Sequence, residues 1–217
     1  VDLTQFSPSS ALVTVVLLAL APFVAVMVTS FTKIVVVLSL LRNALGLQQV
    51  PPNVVLNGMA LVLSLYVMFP VGQAMSDRAG GLNGLGGSTK TMLAAADAAK
   101  EPLREFLVQH SPSRERAFFL KTAQKTLPAD KAAQLSEKDF LVIVPAFTVN
   151  ELSTAFQIGF LIFLPFLVID LVISNILMAM GMMMLSPTTV SLPFKLLLFV
   201  LVDGWVKLTH GLVLTYH

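Results

Sequence analysis

The chain has no cysteine, which excludes a disulfide framework and a thiolate metal site. Its three histidines, His110, His210 and His217, do not cluster, so a histidine-built metal centre has no support either, and no cofactor is expected. Charge is scarce. Asp, Glu, Lys and Arg make up 12% of the residues, where an ordinary soluble domain carries about 25%. The net charge of +2 is spread too thinly to form the basic stripe that a nucleic-acid partner requires. The Gly-rich run Gly80 to Gly87, followed by Ser88-Thr89-Lys90, has the wrong order for a phosphate-binding loop and follows an apolar helix rather than a strand. It reads as a flexible linker. No nucleophile and base stand at usable spacing, so the chain is not expected to be an enzyme. Val1 to Ser10 carries no Lys or Arg, so the positive end of a signal peptide is not visible, and a chain opening on Val is expected to have been processed.

What is present is apolar surface. With 56% hydrophobic residues and a mean hydropathy of +0.83, the chain belongs in a membrane or an obligate assembly. The charges are also segregated: Asp77 to Asp139 holds ten of the fourteen Lys/Arg and eight of the twelve Asp/Glu. The pattern predicts an all-α protein in three parts, a first helical hairpin over residues 1–75, a polar helical insert over 76–139 and a second hairpin over 140–217. Four apolar segments make the hairpins: Ala11 to Leu41, with a kink expected at Pro22; Val54 to Ala74; Phe140 to Met180, divided by Pro145 and Pro165; and Leu192 to about Leu214. Within the insert, helical periodicity is expected over Lys90 to Gln109, Ser113 to Thr126 and Ala129 to Phe140.

The two hairpin turns are written alike. Ala44-Leu45-Gly46 and Ala179-Met180-Gly181 are each followed by a proline six residues after the glycine, Pro52 and Pro187. Gly suits the left-handed residue that ends a helix, and Pro just beyond prevents its continuation. The hairpins therefore read as a duplication. Their fillings differ: Gln48-Gln49 in the first turn, Met182-Met183-Met184 in the second. Arg42 beside one turn and Lys195 just after the other place both turns on the cytoplasmic side by the positive-inside tendency. Both hairpins then run out, in, out, giving long Pro-kinked helices in a parallel repeat, unlike the inverted repeats of many transporters.

Lys33, Asp170, Lys195, Asp203 and Lys207 interrupt apolar helices, and Glu151 lies in a stretch too polar to face lipid. Each such charge costs roughly 2.5–3.5 kcal/mol at a bilayer centre, so all are expected to face protein or water. Lys33 precedes Gly46 by 13 residues and Asp170 precedes Gly181 by 11, a depth difference of about 3 Å, which predicts a Lys33–Asp170 contact within one chain or between neighbours. Asp203 and Lys207 stand four apart, as an intrahelical pair would. Lys33, Asp170 and Asp203 would together be the coupling site if the chain were a secondary transporter or ion channel.

Thr29-Ser30-Phe31-Thr32-Lys33, Leu41-Arg42-Asn43-Ala44-Leu45-Gly46, Pro51-Pro52-Asn53, Leu56-Asn57-Gly58, Glu151 to Phe160, Leu164 to Leu171, Met180 to Met184 and Leu192 to Trp205 resemble, in order, the FliP/SctR family of type III secretion export apparatus proteins. Leu45 to Pro51 and Leu56-Asn57-Gly58 are more similar to the injectisome branch, SctR, than to the flagellar one, FliP. The resemblance implies a bacterial inner-membrane, multi-pass subunit with a periplasmic insert. It implies a ring of copies, a pentamer by family, joined by SctS/FliQ-like, SctT/FliR-like and SctU/FlhB-like proteins and passing unfolded substrates. In such a gate, raised toward the periplasm, the apolar segments face other subunits rather than lipid. The resemblance puts Met182, Met183 and Met184 around the pore as a deformable gasket, where the bland reading is adaptable packing. Phe147, Phe156, Phe160, Phe163 and Phe166 are expected mainly to pack between helices.

Overall fold

The computed structural model describes residues 8–80 and 89–216, so most of the Gly-rich run, Val1 to Ser7 and His217 lie outside the described residues. The described residues form helices and turns without a strand. In chain order the helices are α1 (Pro8–Met27), α2 (Phe31–Ala44), α3 (Asn53–Arg78), α4 (Thr89–Gln109), α5 (Ser113–Thr126), α6 (Ala129–Ala132), α7 (Phe140–Ala179), α8 (Pro187–Leu201) and α9 (Gly204–Leu214). The all-α expectation holds. Two of these helices, α3 and α7, are long and apolar enough to cross a membrane, and up to four spans result if each of two bent pairs is counted as one. Such helices point to a membrane location.

The breaks do not fall at the prolines. Pro22, Pro145 and Pro165 lie inside continuous helices, because each removes one backbone hydrogen bond and a helix held in apolar surroundings tolerates that loss. Segment one instead bends by 70° between Ala19–Met27 and α2. The Ser30 hydroxyl there donates to Ser64 on α3 at 3.0 Å, and the Thr32 hydroxyl turns back to the Val26 carbonyl at 2.9 Å. Segment four breaks by 61° between α8 and α9. Asp203 adopts φ 52° at that joint, and a side chain on Gly204 would meet the Phe199 ring at 2.1 Å. The helix expected over Ala129 to Phe140 shrinks to the four residues of α6, and the Asp139 carboxylate takes the Ser136 N–H.

Helix α2 is the centre of the molecule. Its buried residues Lys33, Ile34, Val37, Leu38, Leu41 and Ala44 recur every three to four positions, the stripe of a helix with one covered face. On α7 the residues set against it are small or polar: Glu151, Ala155 and Gly159, four apart and all buried. A Cβ on Gly159 would lie 2.3 Å from Cδ1 and 3.0 Å from Cβ of Leu40, so the crossing is closer than any side chain there would allow. Two apolar clusters flank this contact and a third lies beside α4. One joins Ile34, Val37, Leu38, Leu56, Ala60, Ala155 and Leu212, and another joins Leu41, Ala44, Leu45, Phe166 and Phe199. The third ties Phe106 and Leu107 of α4 to Val67, Ile143, Phe147 and Tyr216, so α4 shares a core with α3 and α7.

Replacing Gly159 by Val should force α2 and α7 apart, at a cost of about 1–3 kcal/mol from overpacking. Gly58 has open space around it, so Gly58→Val is the matched control for the loss of a helical glycine. Thermal unfolding in detergent should show the Gly159 variant well below the Gly58 variant. Equal midpoints would mean that the crossing is not tight.

Candidate functional site: a methionine turn braced by buried charge

The two turns that end α2 and α7 share one hydrogen-bond frame. In the first, Leu45, Gly46 and Leu47 donate their N–H groups to the carbonyls of Leu41, Asn43 and Arg42 at 3.0, 3.0 and 3.2 Å. In the second, Met180, Gly181 and Met182 donate to Ile176, Met178 and Leu177 at 3.0, 3.0 and 2.9 Å. Gly46 and Gly181 have φ of 78° and 72°, the left-handed conformation that costs glycine least. Pro52 then stands at the N-cap of α3, and Pro187 opens α8. Beyond this frame the turns diverge. Arg42 Nη1 donates to Asn53 Oδ1 at 2.6 Å and to the Pro51 carbonyl at 3.3 Å, tying the first turn to the start of α3. The second turn carries thioethers instead, and Met182, Met183 and Met184 are 41%, 84% and 102% exposed.

The charges expected inside apolar segments sort into two pairs and two exposed residues. Lys195 Nζ lies 2.6 Å from Asp170 Oδ2 and donates to the Ala44 carbonyl at 3.2 Å, while the Ser191 hydroxyl holds Asp170 Oδ1 at 2.5 Å. A single ammonium on α8 thus binds α7 and the carboxyl end of α2, where a cation is favoured by the unpaired carbonyls of the last turn. Lys33 Nζ lies 3.0 Å from Glu151 Oε1, with the two side chains 4% and 1% exposed. The approach is electrostatic rather than directional, since Oε1 has no donor in hydrogen-bond geometry. Tyr216 completes this node: its hydroxyl donates to Glu151 Oε2 and its ring centroid lies 3.8 Å from Lys33 Nζ. Burial, reinforced by the Glu151 carboxylate, pushes the Tyr216 hydroxyl above its ordinary range, so it remains a donor.

The expected Lys33–Asp170 contact does not form within the chain, where Glu151 and Lys195 are the partners instead. It assumed that the two turns lie at one depth. Lys33 meets Glu151, Leu40 meets Gly159, and Ala44 meets Asp170 through Lys195, so α2 and α7 run in the same direction and α2 ends beside Asp170. From the Leu40–Gly159 contact Gly46 lies six residues on and Gly181 twenty-two, so the methionine turn stands about 24 Å further along α7 than the first turn does along α2. The Asp203–Lys207 helical pair is also absent: Asp203 sits in the joint before α9, both side chains are exposed, and no ion pair joins them among the described residues. Lys33, Asp170 and Asp203 are consequently three separate places, not the single site that ion coupling would need. Among the described residues no group of three or more His, Asp or Glu could hold a metal ion.

Phe147 and Phe166 are buried, while Phe156, Phe160 and Phe163 are exposed along one face of α7. Sequence reasoning missed Tyr216, Ser191 and Gly159. Ser191 was findable, four residues before Lys195 and hence on the same face of α8; Tyr216 reaches Glu151 across 65 positions, and no local pattern announces it.

The FliP family model matches residues 13–212. The chain belongs to the FliP family. Similar members include the hypersensitivity response secretion protein HrcR of Ralstonia nicotianae, 56% identical over 210 residues and covering 96% of this chain and 97% of that one. The Yop proteins translocation protein R of Yersinia pestis is 54% identical over 200 residues, 92% of each chain. The flagellar biosynthetic protein FliP of Bacillus subtilis is 43% identical over 198 residues, 91% of this chain and 87% of that one. The identities place this FliP-family chain nearer the injectisome members than the flagellar one.

Neutralising one member of the Lys33–Glu151 pair should be costly. Lys33→Met alone strands a buried carboxylate and is expected to destabilise by about 3–5 kcal/mol. Lys33→Met with Glu151→Gln keeps an acceptor for Tyr216 and should recover most of that loss in a denaturant titration. No recovery would mean that Lys33 acts on something other than Glu151.

Proposed function

We propose that this chain is a pore-forming subunit of a type III protein export gate in the bacterial inner membrane, and that Met182, Met183 and Met184 seal its pore. The observation that carries the reading is the placement of the three thioethers. They stand exposed at the end of a turn whose base is held by Asp170, Lys195 and Ser191 and whose end projects beyond the neighbouring turn. Packing within one chain would bury methionine; here the side chains extend from a fixed support into open space.

Met suits a seal that must yield. Its unbranched, polarizable side chain fills irregular gaps, so several copies meeting at an axis close on one another when no substrate is present and re-pack around a chain of any sequence. Branched side chains would fit one shape, and charged ones would keep the lumen hydrated. The exposed apolar faces of α3, α7 and α8, including Phe156, Phe160 and Phe163, support burial against further subunits. In this reading those are other copies in a ring, a pentamer by the family pattern, and SctS/FliQ-like, SctT/FliR-like and SctU/FlhB-like proteins. The turns face the cytoplasm, the insert of residues 76–139 faces the periplasm, and unfolded secretion substrates pass through the ring without chemical change.

Replacing Met182, Met183 and Met184 together by Ala should raise ion leakage across membranes holding the assembled gate, while the complex still copurifies intact. A membrane that stays tight with the intact mutant complex would sink the sealing role.

A further inference from the structure

Five of the ten methionines fall within seven residues, Met178, Met180, Met182, Met183 and Met184, and all five side chains are exposed. Met59, Met68 and Met75 on α3 are half-buried by comparison, and Met27 at the end of α1 is a lone exposed methionine at 45%. Met178 lies in the last turn of α7 and the other four around Gly181, where the chain leaves the helix, and all five side chains are exposed. Exposed thioethers are the ones that peroxides oxidise, and the product, methionine sulfoxide, is polar and chiral where the parent was apolar and flexible.

We propose that this cluster is a peroxide-sensitive modification site, at which conversion of Met182, Met183 and Met184 to the sulfoxide opens the seal. In the step itself, a lone pair on sulfur attacks one oxygen of hydrogen peroxide. The S–O bond forms as the O–O bond breaks, a proton passes to the departing oxygen, and that oxygen leaves as water. Sulfur gives up two electrons and the peroxide accepts them, so no further reactant is required. The modification rests on the exposure of these thioethers in the single chain and, in the closed gate, on peroxide entering the lumen where they meet. Its consequence rests on the sealing reading: each copy contributes three sulfoxide oxygens, strong acceptors that hold water where the thioethers excluded it. Peroxide is small and uncharged, and reaches a lumen that ions do not.

The test uses the full-length chain assembled with its export partners in membrane vesicles. Vesicles are treated with hydrogen peroxide, sulfoxide at each methionine is read by peptide mass spectrometry, and ion leakage is followed in parallel. Sulfoxide should accumulate several-fold faster at Met182 to Met184 than at Met59 and Met68, with leakage rising alongside. Treatment with both methionine sulfoxide reductases and a dithiol, which reverses the two epimers, should restore the seal. A variant with Met182→Leu, Met183→Leu and Met184→Leu has no sulfur to oxidise at the turn, so its leakage, whatever its starting level, should not rise with peroxide. Equal oxidation rates at the turn and on α3 would remove the site. Sulfoxide at the turn without leakage would remove the consequence, and leakage by the alanine triple variant in the same vesicles would then show that the sealing reading survives. Peroxide-induced leakage through the leucine variant would place the damage elsewhere and overturn the proposal.

Discussion

The structure depends on the close, same-direction crossing of α2 and α7. It is pinned at three levels: Lys33 on Glu151 at one end, Leu40 on Gly159 in the middle, and the Ala44 carbonyl on Lys195 and Asp170 at the other. The ionic contacts add little net stability, since the cost of removing both charges from water offsets most of their attraction. Their effect is on register. A slip of one turn, about 5.4 Å, would leave buried charges without partners, at a cost of several kcal/mol each. Misregister is thus penalised more strongly than correct register is rewarded, which is what an apolar contact surface cannot do by itself.

The position of the methionine turn follows from that register. Helix α7 has 40 residues and α2 has 14, so once Lys33 and Glu151 are matched, α7 must run on past the end of α2. The overshoot carries Met178 to Met184 beyond the first turn, and Lys195 braces its base from α8. The bend at Asp203 lets α9 turn back so that Leu212 joins the α2 cluster and Tyr216 reaches Glu151. The geometry of the turn is therefore set by contacts far below it, and its side chains are left with freedom that the backbone does not have.

Much of this was legible in the amino-acid sequence because the signals were local. Helix content followed from apolar periodicity, and the turn positions followed from Gly46, Gly181, Pro52 and Pro187. The branch of the family followed from Leu45 to Pro51, in keeping with the higher identity to HrcR than to the Bacillus FliP. The errors arose where tertiary contact outweighs local propensity. A kink at Pro22 and a division of segment three at Pro145 and Pro165 are the local reading, yet all three lie inside continuous helices, while Ser30 and Asp203 mark the bends through hydrogen bonding and a left-handed backbone. Within the chain Lys33 was given the wrong partner because depth was counted from the turns, and a sequence does not state how far one helix slides along another. Gly159, silent in a hydropathy plot, proved to be the residue that permits the crossing.

The absence of native cysteine makes one measurement unusually direct. A single Met183→Cys substitution supplies the only thiol in the chain, and a short thiol-to-thiol cross-linker applied to the assembled complex reports whether copies meet at the turn. The account predicts covalently linked pairs of this chain from Met183→Cys, and none from Lys125→Cys on the exposed polar surface of α5. Efficient linking at position 125 with none at 183 would place the methionines away from a shared axis and contradict it.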